Sequence, residues 1–551
     1  MVAANDGQQS GPSSEIASFA VIVPASASIH VSEESICNGG FYTLKPVFEV
    51  AITPNTCDEA KVEEAIIVTD NTSSTEIKTL DKIWNDGILT VGFKQELEAK
   101  HEYTVSMTEL KDIYGCYEVA RFTPITFTVA PYSGQGTSDN PFVVDITLNP
   151  TEPVEDGKLL LIGSVTADLS EINNEFAGIS LNSGVTLSNS AGIESGECQI
   201  SGTNVIVGIG NDAIWPSDSM ITFNVIFNGT YNGNIIYFKS SDCILSTESG
   251  KNFNLGSGSA VDPYWVYTPM QLDSIRNHLT ENFVQIKDID LKDYDSEGND
   301  EGKGWIPIGS FENSFVGFYD GNNKKISNLK ISGSSYELYG LFGCLGNIDE
   351  YLDGVDPTLK VKNLTISEPK IEASNFNHFG CGSLTGIAFN AIIENCAAEN
   401  ANIRSYSQLE YYSSDWGSDI NNGFGGLIGT ACCCSISSCM ANGDVFGIGN
   451  GGILIGASVC CEVDKCQTSG KIEASTNSGG LIGCAFNYST VSSCEVSNVE
   501  IENGELCGGL IGGVAEYSAV TSCKVSEVKI ANCLTSAGLI GGIFSYSTVN
   551  M

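Results

Sequence analysis

The sequence predicts an all-β protein in which two antiparallel β-sandwiches precede a parallel β-helix. Three observations support this fold class. Short apolar segments alternate with polar turns in the first half, and a unit of 27 to 29 residues repeats in the second half. The repeats are rich in Val, Ile, Ser, Thr and Gly, which favours strands over helical hairpins. A fixed period of about 20–50 residues indicates a solenoid, in which each unit buries its apolar face against its neighbours.

Composition and charge exclude several classes of partner. The chain has 551 residues, with 67 acidic and 26 basic side chains and a formal net charge of −41. Because phosphate binding needs clustered lysine and arginine, we expect no nucleic-acid partner. No apolar run reaches about 18 residues, so we expect no transmembrane segment. Residues 1–15 lack the features of a signal peptide and are expected to be a flexible leader, with the export signal outside this sequence.

Two similar glycine- and proline-containing segments, 134–144 and 256–266, divide the chain into three predicted domains. In the domain at 16–133, short strands are predicted at 66–69, 88–91, 103–107 and 125–129. The stretch from Phe93 through Leu97, 103–105 and 112–115 to Phe127 resembles a bacterial Ig-like domain of the surface-layer type. That resemblance implies a sandwich and indicates no ligand.

The domain at 134–255 is predicted to be a second β-sandwich. Ile221, Phe223, Val225 and Phe227 alternate with mostly polar residues, which is typical of a half-buried strand. The Asn-Gly pairs at 228–229 and 232–233 are predicted to form tight turns before the next strand at 235–238.

The domain at 256–551 contains a repeated Gly-Leu-X-Gly motif. Its seven leucines are Leu341, Leu384, Leu427, Leu454, Leu481, Leu510 and Leu539. Cysteines follow 12 or 13 residues later, at Cys396, Cys439, Cys466, Cys494 and Cys523, and tyrosines follow the last three leucines at Tyr488, Tyr517 and Tyr546. Since a parallel β-helix stacks equivalent positions about 4.8 Å apart, these residues are predicted to form ladders. The two 43-residue spacings predict inserted surface loops.

These repeats resemble the GLUG motif, which occurs in bacterial surface proteins, notably of gut Bacteroidetes, and beside the catalytic part of streptococcal IgA-cleaving metallopeptidases. The resemblance covers residues 256–551 and implies an exported surface protein with a parallel β-helix. The last residues match the middle of a repeat, so we expect the sequence to be truncated at its C-terminus. An uncapped coil exposes a sheet edge, which predicts end-to-end association.

The cysteines allow three interpretations. The row from Cys396 to Cys523 is expected to be an interior ladder of reduced thiols, because stacked parallel side chains hold their Cβ atoms farther apart than a disulfide prefers. A metal site involving 432–434 and 460–461, or disulfides between coils, are the alternatives.

Two loops contain candidate binding residues. Asp293, Asp295 and Glu297 resemble the start of a calcium-binding loop, but Gly304 occupies the position of the bidentate glutamate. A solvated turn is the main interpretation, and weak Ca²⁺ binding is the alternative; no other cofactor is expected. The inserted loop at 404–419 carries the aromatic residues Tyr406, Tyr411, Tyr412 and Trp416, which either contact a sugar or protein or pack back on the coil.

No catalytic motif is present: the four histidines are far apart and no HExxH sequence occurs. The main prediction is therefore a modular bacterial cell-surface protein without enzymatic activity, which is extracellular and binds a glycan or a host or matrix protein through its β-helix. One alternative is a carbohydrate-active β-helix enzyme that uses carboxylates for hydrolysis or lyase chemistry. The other alternative is a purely structural component of the cell surface.

Overall fold

The computed structural model describes residues 23–152, 157–210, 213–296, 298–299, 302–347, 359–374, 379–406, 411–413, 419–421 and 423–550. The chain forms two compact units, Met1–Glu248 and Ser249–Met551. The predicted fold class is confirmed: the first unit contains mainly antiparallel sheets, and the second contains long parallel sheets. None of the helices in the described part of the chain is long and apolar enough to cross a lipid bilayer.

The first β-sandwich pairs two four-stranded antiparallel sheets, with strand orders β1-β2-β6-β5 and β4-β3-β7-β8. A short helix, α1 (Glu59–Ala65), begins where the Asp58 side chain accepts a hydrogen bond from the Lys61 amide. Alternate residues of the strands point into a core that includes Phe48, Val68 and Val105, all fully buried. The strands are β1 Ser26–Val31, β2 Phe48–Thr53, β3 Ile66–Asp70, β4 Thr75–Glu76, β5 Leu80–Asn85, β6 Ile88–Phe93, β7 Glu102–Met107 and β8 Ile125–Thr128.

The second β-sandwich has a four-stranded sheet, β10-β11-β15-β14, and a six-stranded sheet built around the long strand β16. The helix α2 (Ser170–Glu175) follows β11. The pairings between its named strands are antiparallel except that of β9 with β17. The strands are β9 Phe142–Val144, β10 Leu148–Pro150, β11 Val165–Asp168, β12 Ser180–Leu181, β13 Thr186–Asn189, β14 Ser195–Ser201, β15 Asn204–Ile209, β16 Met220–Tyr231, β17 Asn234–Ser240 and β18 Cys243–Ser246.

One of the two predicted turns in this sandwich is wrong. The chain turns at Asn232 and Gly233, which have φ angles of 47° and 81°. Asn228 and Gly229 instead continue β16, where Gly229 pairs with Ile236 of β17. A Cβ atom at Gly229 would lie only 2.8 Å from the side chain of Ile179, so this glycine allows close packing rather than a turn.

The second unit is built from three parallel sheets, which we call sheets A, B and C, and contains a short helix, α3 (Pro269–Ser274), that follows the first strand. Sheet C has seven strands: Leu338–Tyr339, Gly380–Cys381, Gly423–Gly425, Asn450–Gly452, Asn477–Gly479, Leu506–Gly508 and Thr535–Ala537. Sheet B also has seven: Phe342–Leu345, Thr385–Phe389, Ile428–Cys432, Ile455–Val459, Ile482–Phe486, Ile511–Val514 and Ile540–Ile543.

Sheet A has eighteen strands and receives two strands from each complete coil. They are Tyr264–Val266, Phe283–Gln285, Ile289–Asp290, Tyr319–Ser327, Lys330–Gly333, Leu359–Ser367, Lys370–Ala373, Ala391–Glu394, Ala397–Ser405, Ser435–Ser437, Met440–Gly447, Glu462–Asp464, Gln467–Ala474, Thr490–Ser492, Glu495–Glu502, Ala519–Thr521, Lys524–Ala531 and Thr548–Asn550. A separate antiparallel hairpin, Tyr411–Ser413 with Asp419–Asn421, lies in the inserted loop.

The glycines of the repeated motif lie where neighbouring backbones approach each other closely. A Cβ atom at Gly426 would lie 2.3 Å from the carbonyl oxygen of Ile453 in the next coil, and one at Gly429 would lie 2.3 Å from that of Gly386. The leucine between these glycines points into the core, and Leu427 is fully buried. The motif therefore combines two positions that exclude a side chain with one that buries a large apolar group.

Candidate functional site

Among the described residues of the β-helix, the most exposed group of aromatic side chains is a stack of three tyrosines, which we call the tyrosine ladder: Tyr488, Tyr517 and Tyr546. Their rings are nearly parallel, with interplanar angles of 8° and 12° and centroid separations of 5.2 and 5.4 Å. The side chains are 66%, 53% and 83% exposed. Tyr517, which has a ring on both faces, is the least exposed of the three. One face of Tyr488 has no tyrosine against it.

The backbone places the tyrosine ladder at the corner between sheets B and A. Each tyrosine has a positive φ angle, 62°, 62° and 60° in chain order, and the preceding residue also has a positive φ. The amide of Tyr488 donates to the carbonyl of Glu516, and that of Tyr517 donates to the carbonyl of Ser545. These bonds align the corners of successive coils, so the rings are held in register. Bulky residues are uncommon at such φ values, and strained positions of this kind cluster at functional sites.

The surroundings of the tyrosine ladder are polar and largely uncharged. The strands that leave the corner begin with Thr490, Ala519 and Thr548, of which the two threonines are exposed. Glu516 contributes the one carboxylate among the six corner residues of these three coils. The surface thus offers ring edges and hydroxyl groups, which suit a neutral polar ligand.

The aromatic residues of the inserted loop are only partly described. Tyr406 is half-buried, and its ring lies 6.2 Å from that of Phe446 in an edge-to-face arrangement. Tyr411 and Tyr412 lie in the first strand of the hairpin. Trp416 lies outside the described residues. The structure therefore gives no grouping of these four residues into one site.

Asp295, one of the predicted calcium ligands, closes the acidic loop through hydrogen bonds with the backbone. The two carboxylate oxygens of Asp295 accept hydrogen bonds from the amides of Gly302 and Gly304, at 2.8 and 2.6 Å. These bonds hold the pKa of Asp295 below its usual value. Asp293 is exposed, with φ of 60°, and Glu297 lies outside the described residues. Within the described part of the chain, no three His, Cys, Asp or Glu side chains lie close enough together to hold a metal ion. Ca²⁺ binding at this loop stays a prediction.

The leucine and cysteine rows lie in the core of the β-helix. Backbone hydrogen bonds join Leu384 to Leu427, Leu427 to Leu454 and so on to Leu539, and every leucine of the row except Leu539 is fully buried. Cys396, Cys439, Cys466 and Cys494 are buried free thiols, and Cys523 is half-buried. The hydrogen bond with the Cys396 thiol, together with burial, raises the pKa of Cys439 well above its usual value. These thiols therefore pack as small apolar groups.

One disulfide lies outside the cysteine row. Cys507 and Cys533 are bonded, with their Cα atoms 6.1 Å apart. Cys507 is in sheet C, and Cys533 lies just before the next strand of that sheet. The spacing of the repeats did not predict this particular pair, because the two cysteines occupy different positions of the repeat.

Sequence patterns identified the tyrosine row but not its exposure to solvent. The period of 29 residues predicts that the tyrosines stack, whereas their exposure depends on the backbone of the corner. In the earlier coils this corner holds a single residue, such as Cys460, and in the later coils it holds two, such as Asn487 and Tyr488. The additional residue before each tyrosine is the sequence feature that could have indicated the different corner and the exposure of the tyrosines.

Comparisons with known proteins give partial matches. No family model matches the chain. A stretch of 146 residues is 33% identical to a "Putative Gly-rich membrane protein" of Evansella cellulosilytica, and the match covers 26% of this chain and 15% of that protein. Another match of 146 residues is 29% identical to halomucin of Haloquadratum walsbyi, covering 25% of this chain and 2% of that protein. The chain thus spans a small fraction of these curated relatives.

Three solved structures are similar to parts of the chain. A "putative immunoglobulin A1 protease from Bacteroides ovatus" is 18% identical with a TM-score of 0.37, covering 54% of this chain and 86% of that one. An "IgA1 Protease" is 14% identical with a TM-score of 0.31, covering 64% and 28%. The N-terminal part of the bacterial S-layer protein SbsC is 18% identical with a TM-score of 0.15, covering 41% and 44%.

One prediction is corrected by these comparisons. The sequence was expected to encode a protein without enzymatic activity, because it lacks a catalytic motif. Two of the similar structures are named as IgA1 proteases, so that expectation is wrong. A motif search reads only local spacing, so the lack of an HExxH sequence was not sufficient ground for that expectation.

Proposed function

We propose that this chain belongs to a bacterial surface protein and binds an extracellular, uncharged glycan through the tyrosine ladder of its β-helix. The observation that carries the proposal is the stack of three exposed tyrosines at strained corner positions. Large aromatic side chains held in place by their neighbours provide contact area at a low cost in conformational entropy. The names of the similar proteins, which include an S-layer protein and a membrane protein, support a location at the cell surface.

The charge of the protein favours a neutral ligand over an acidic one. With a net charge of −41, the protein repels polyanions at long range. The corners of the ladder add hydroxyl and amide groups from Asn487 and Ser545 and no basic side chain. A neutral sugar forms hydrogen bonds with such groups and apolar contacts with the exposed parts of the rings.

The domain organisation that we propose is the one predicted from the sequence. We propose domains at 16–133, 134–255 and 256–551, with the two β-sandwiches as spacers and the β-helix as the binding domain. The aromatic residues of the inserted loop, Tyr406, Tyr411, Tyr412 and Trp416, are proposed as a second contact region. An extracellular protein in place of the glycan is the other outcome of the test below.

The proposal is tested by measuring retention of the full chain on an array of neutral and acidic glycans and of extracellular matrix proteins. We expect retention on neutral glycans, with a loss of at least tenfold when Tyr488, Tyr517 and Tyr546 are all changed to asparagine. Tyr114→Asn is the matched control, because Tyr114 is a 62% exposed tyrosine in the first sandwich. Its retention should equal that of the unchanged protein.

Two results would contradict the proposal. Retention that survives the triple change would exclude the tyrosine ladder as the site, and a loss on changing Tyr411, Tyr412 and Trp416 to alanine would then assign binding to the inserted loop. Retention on matrix proteins alone would replace the glycan by a protein ligand.

A further inference from the structure

The corner that carries the tyrosine ladder carries a pair of thiols in two earlier coils. Cys433 and Cys460 are the corner residues there, with φ angles of 48° and 56°. Their neighbours Cys432 and Val459 pair in register in sheet B, and the amide of Cys433 donates to the carbonyl of Val459 at 2.8 Å. The two side chains therefore lie one above the other. Burial, and next the neighbouring Cys460 thiol, raise the pKa of Cys433 to about 12.

This pair is open to solvent, unlike the adjacent cysteines. Cys460 is exposed and Cys433 is half-buried, whereas Cys434 and Cys461, the next residues along the chain, are buried in the core. An ion or reagent from solution therefore reaches the corner pair without disrupting the coil.

A third residue beside the pair has an unused hydrogen-bond donor. Asn390 occupies the same corner one coil earlier, since Phe389 pairs with Cys432 and the Asn390 amide donates to the carbonyl of Cys432. Its side chain is 2% exposed, and its Nδ2 atom has no hydrogen-bond partner among the described residues. A buried amide without a partner is costly, and a thiolate at Cys433 would be an acceptor for it.

The spacing of the coils suits a bridging ion better than a disulfide. Equivalent atoms of adjacent coils are about 4.8 Å apart. A metal–thiolate bond is about 2.3 Å long, so a linear S–metal–S unit spans about 4.6 Å. A disulfide instead prefers Cβ atoms about 3.8 Å apart. Two thiolates without further ligands are typical of soft ions, among which Cu(I) is selected by sulfur ligands.

We propose that Cys433 and Cys460 bind one soft, thiophilic metal ion of the Cu(I) type as a two-coordinate thiolate bridge, with the Asn390 amide donating to the sulfur of Cys433. On binding, both S–H bonds break and two metal–sulfur bonds form, while two protons pass to water and no electron is transferred. This site is independent of the proposed glycan binding.

The test uses the full chain, reduced and handled without oxygen, with Cu(I) supplied from a bicinchoninate complex. We expect one Cu(I) per chain to be withdrawn from the competitor and seen as one bound ion by native mass spectrometry. Cys433→Ser and Cys460→Ser should each lower the affinity at least 100-fold. Asn390→Ala should lower it about tenfold, which is typical of residues that hydrogen-bond to a metal ligand. The affinity should rise with pH, because binding releases protons.

Cys116→Ser is the matched control, since Cys116 is an exposed free thiol far along the chain from the pair, and it should leave the affinity unchanged. Unchanged uptake in the Cys433→Ser/Cys460→Ser double variant would overturn the proposal, as would the absence of uptake by the unchanged protein. If either variant fails to fold, the unchanged protein is alkylated with iodoacetamide with and without Cu(I). Protection of Cys460 by Cu(I) in the peptide map is then expected, and equal labelling would overturn the proposal.

Discussion

Tyrosine at a left-handed corner combines two opposing effects in one residue. The positive φ of Tyr517 costs about 1–3 kcal/mol, and its two ring contacts each contribute about 0.5–1.5 kcal/mol. Because these magnitudes are similar, the residue gains little net stability from its position. A residue that is neither required for folding nor hidden from solvent is well placed for binding.

This balance predicts the behaviour of Tyr517→Asn. Asparagine tolerates the left-handed region, so the strain is relieved while the two ring contacts are lost. We expect the free energy of unfolding, measured with urea, to change by no more than about 1 kcal/mol. A loss above about 3 kcal/mol would show instead that the tyrosine ladder mainly stabilises the coil.

At the scale of the coil, the leucine row stabilises the β-helix because each leucine fills the space between sheets A, B and C. Leu481 is fully buried between coils, whereas Leu539 is only partly buried. These two leucines occupy the same position of the motif and differ in burial, so the effect of burial can be measured by comparing them.

Leu481→Ala should therefore destabilise the β-helix by about 2–5 kcal/mol, the usual range for a fully buried leucine. Leu539→Ala should cost less than half as much. Thermal unfolding of both variants, followed by circular dichroism, measures the difference. Equal destabilisation would contradict the unequal burial of the two leucines.

The sequence predicted much of the coil, for a physical reason. A repeat fixes which residues stack, so the seven motif copies predicted parallel sheets without any knowledge of the turns. The strands of sheet C were not predicted, because segments such as Gly423–Gly425 have no apolar alternation. The prediction of a turn at 228–229 was wrong for a related reason. The same Asn-Gly pair also fits within a strand where a neighbouring side chain, such as that of Ile179, leaves no room for a Cβ atom.

At the scale of the whole molecule, the excess of acidic side chains dominates the electrostatics. Several lysines of the β-helix pair with acids of adjacent coils, as Lys471 does with Glu502 at 2.8 Å and Lys529 with Glu500 at 2.8 Å. Such exposed pairs contribute little to stability. The remaining negative charge therefore repels itself, and salt screens that repulsion.

We expect the melting temperature to rise with NaCl concentration because of this screening. CaCl₂ at equal ionic strength should raise it further, because an ion that binds only the folded loop at Asp293 and Asp295 stabilises the fold. Asp295→Asn should remove the additional rise and leave the effect of NaCl. Equal melting temperatures in the two salts would contradict Ca²⁺ binding at this loop.

The inserted hairpin at 411–421 has a consequence for engineering. The strand before it ends at Ser405, in register with Gly447, and the strand after it begins at Gly423, in register with Asn450. The hairpin therefore adds no strand to sheets A, B and C, and the strands on either side of it pair in register with the next coil. A peptide epitope grafted between these two strands should be displayed without disturbing the β-helix. This position is therefore suited to antigen presentation or to cyclised affinity tags.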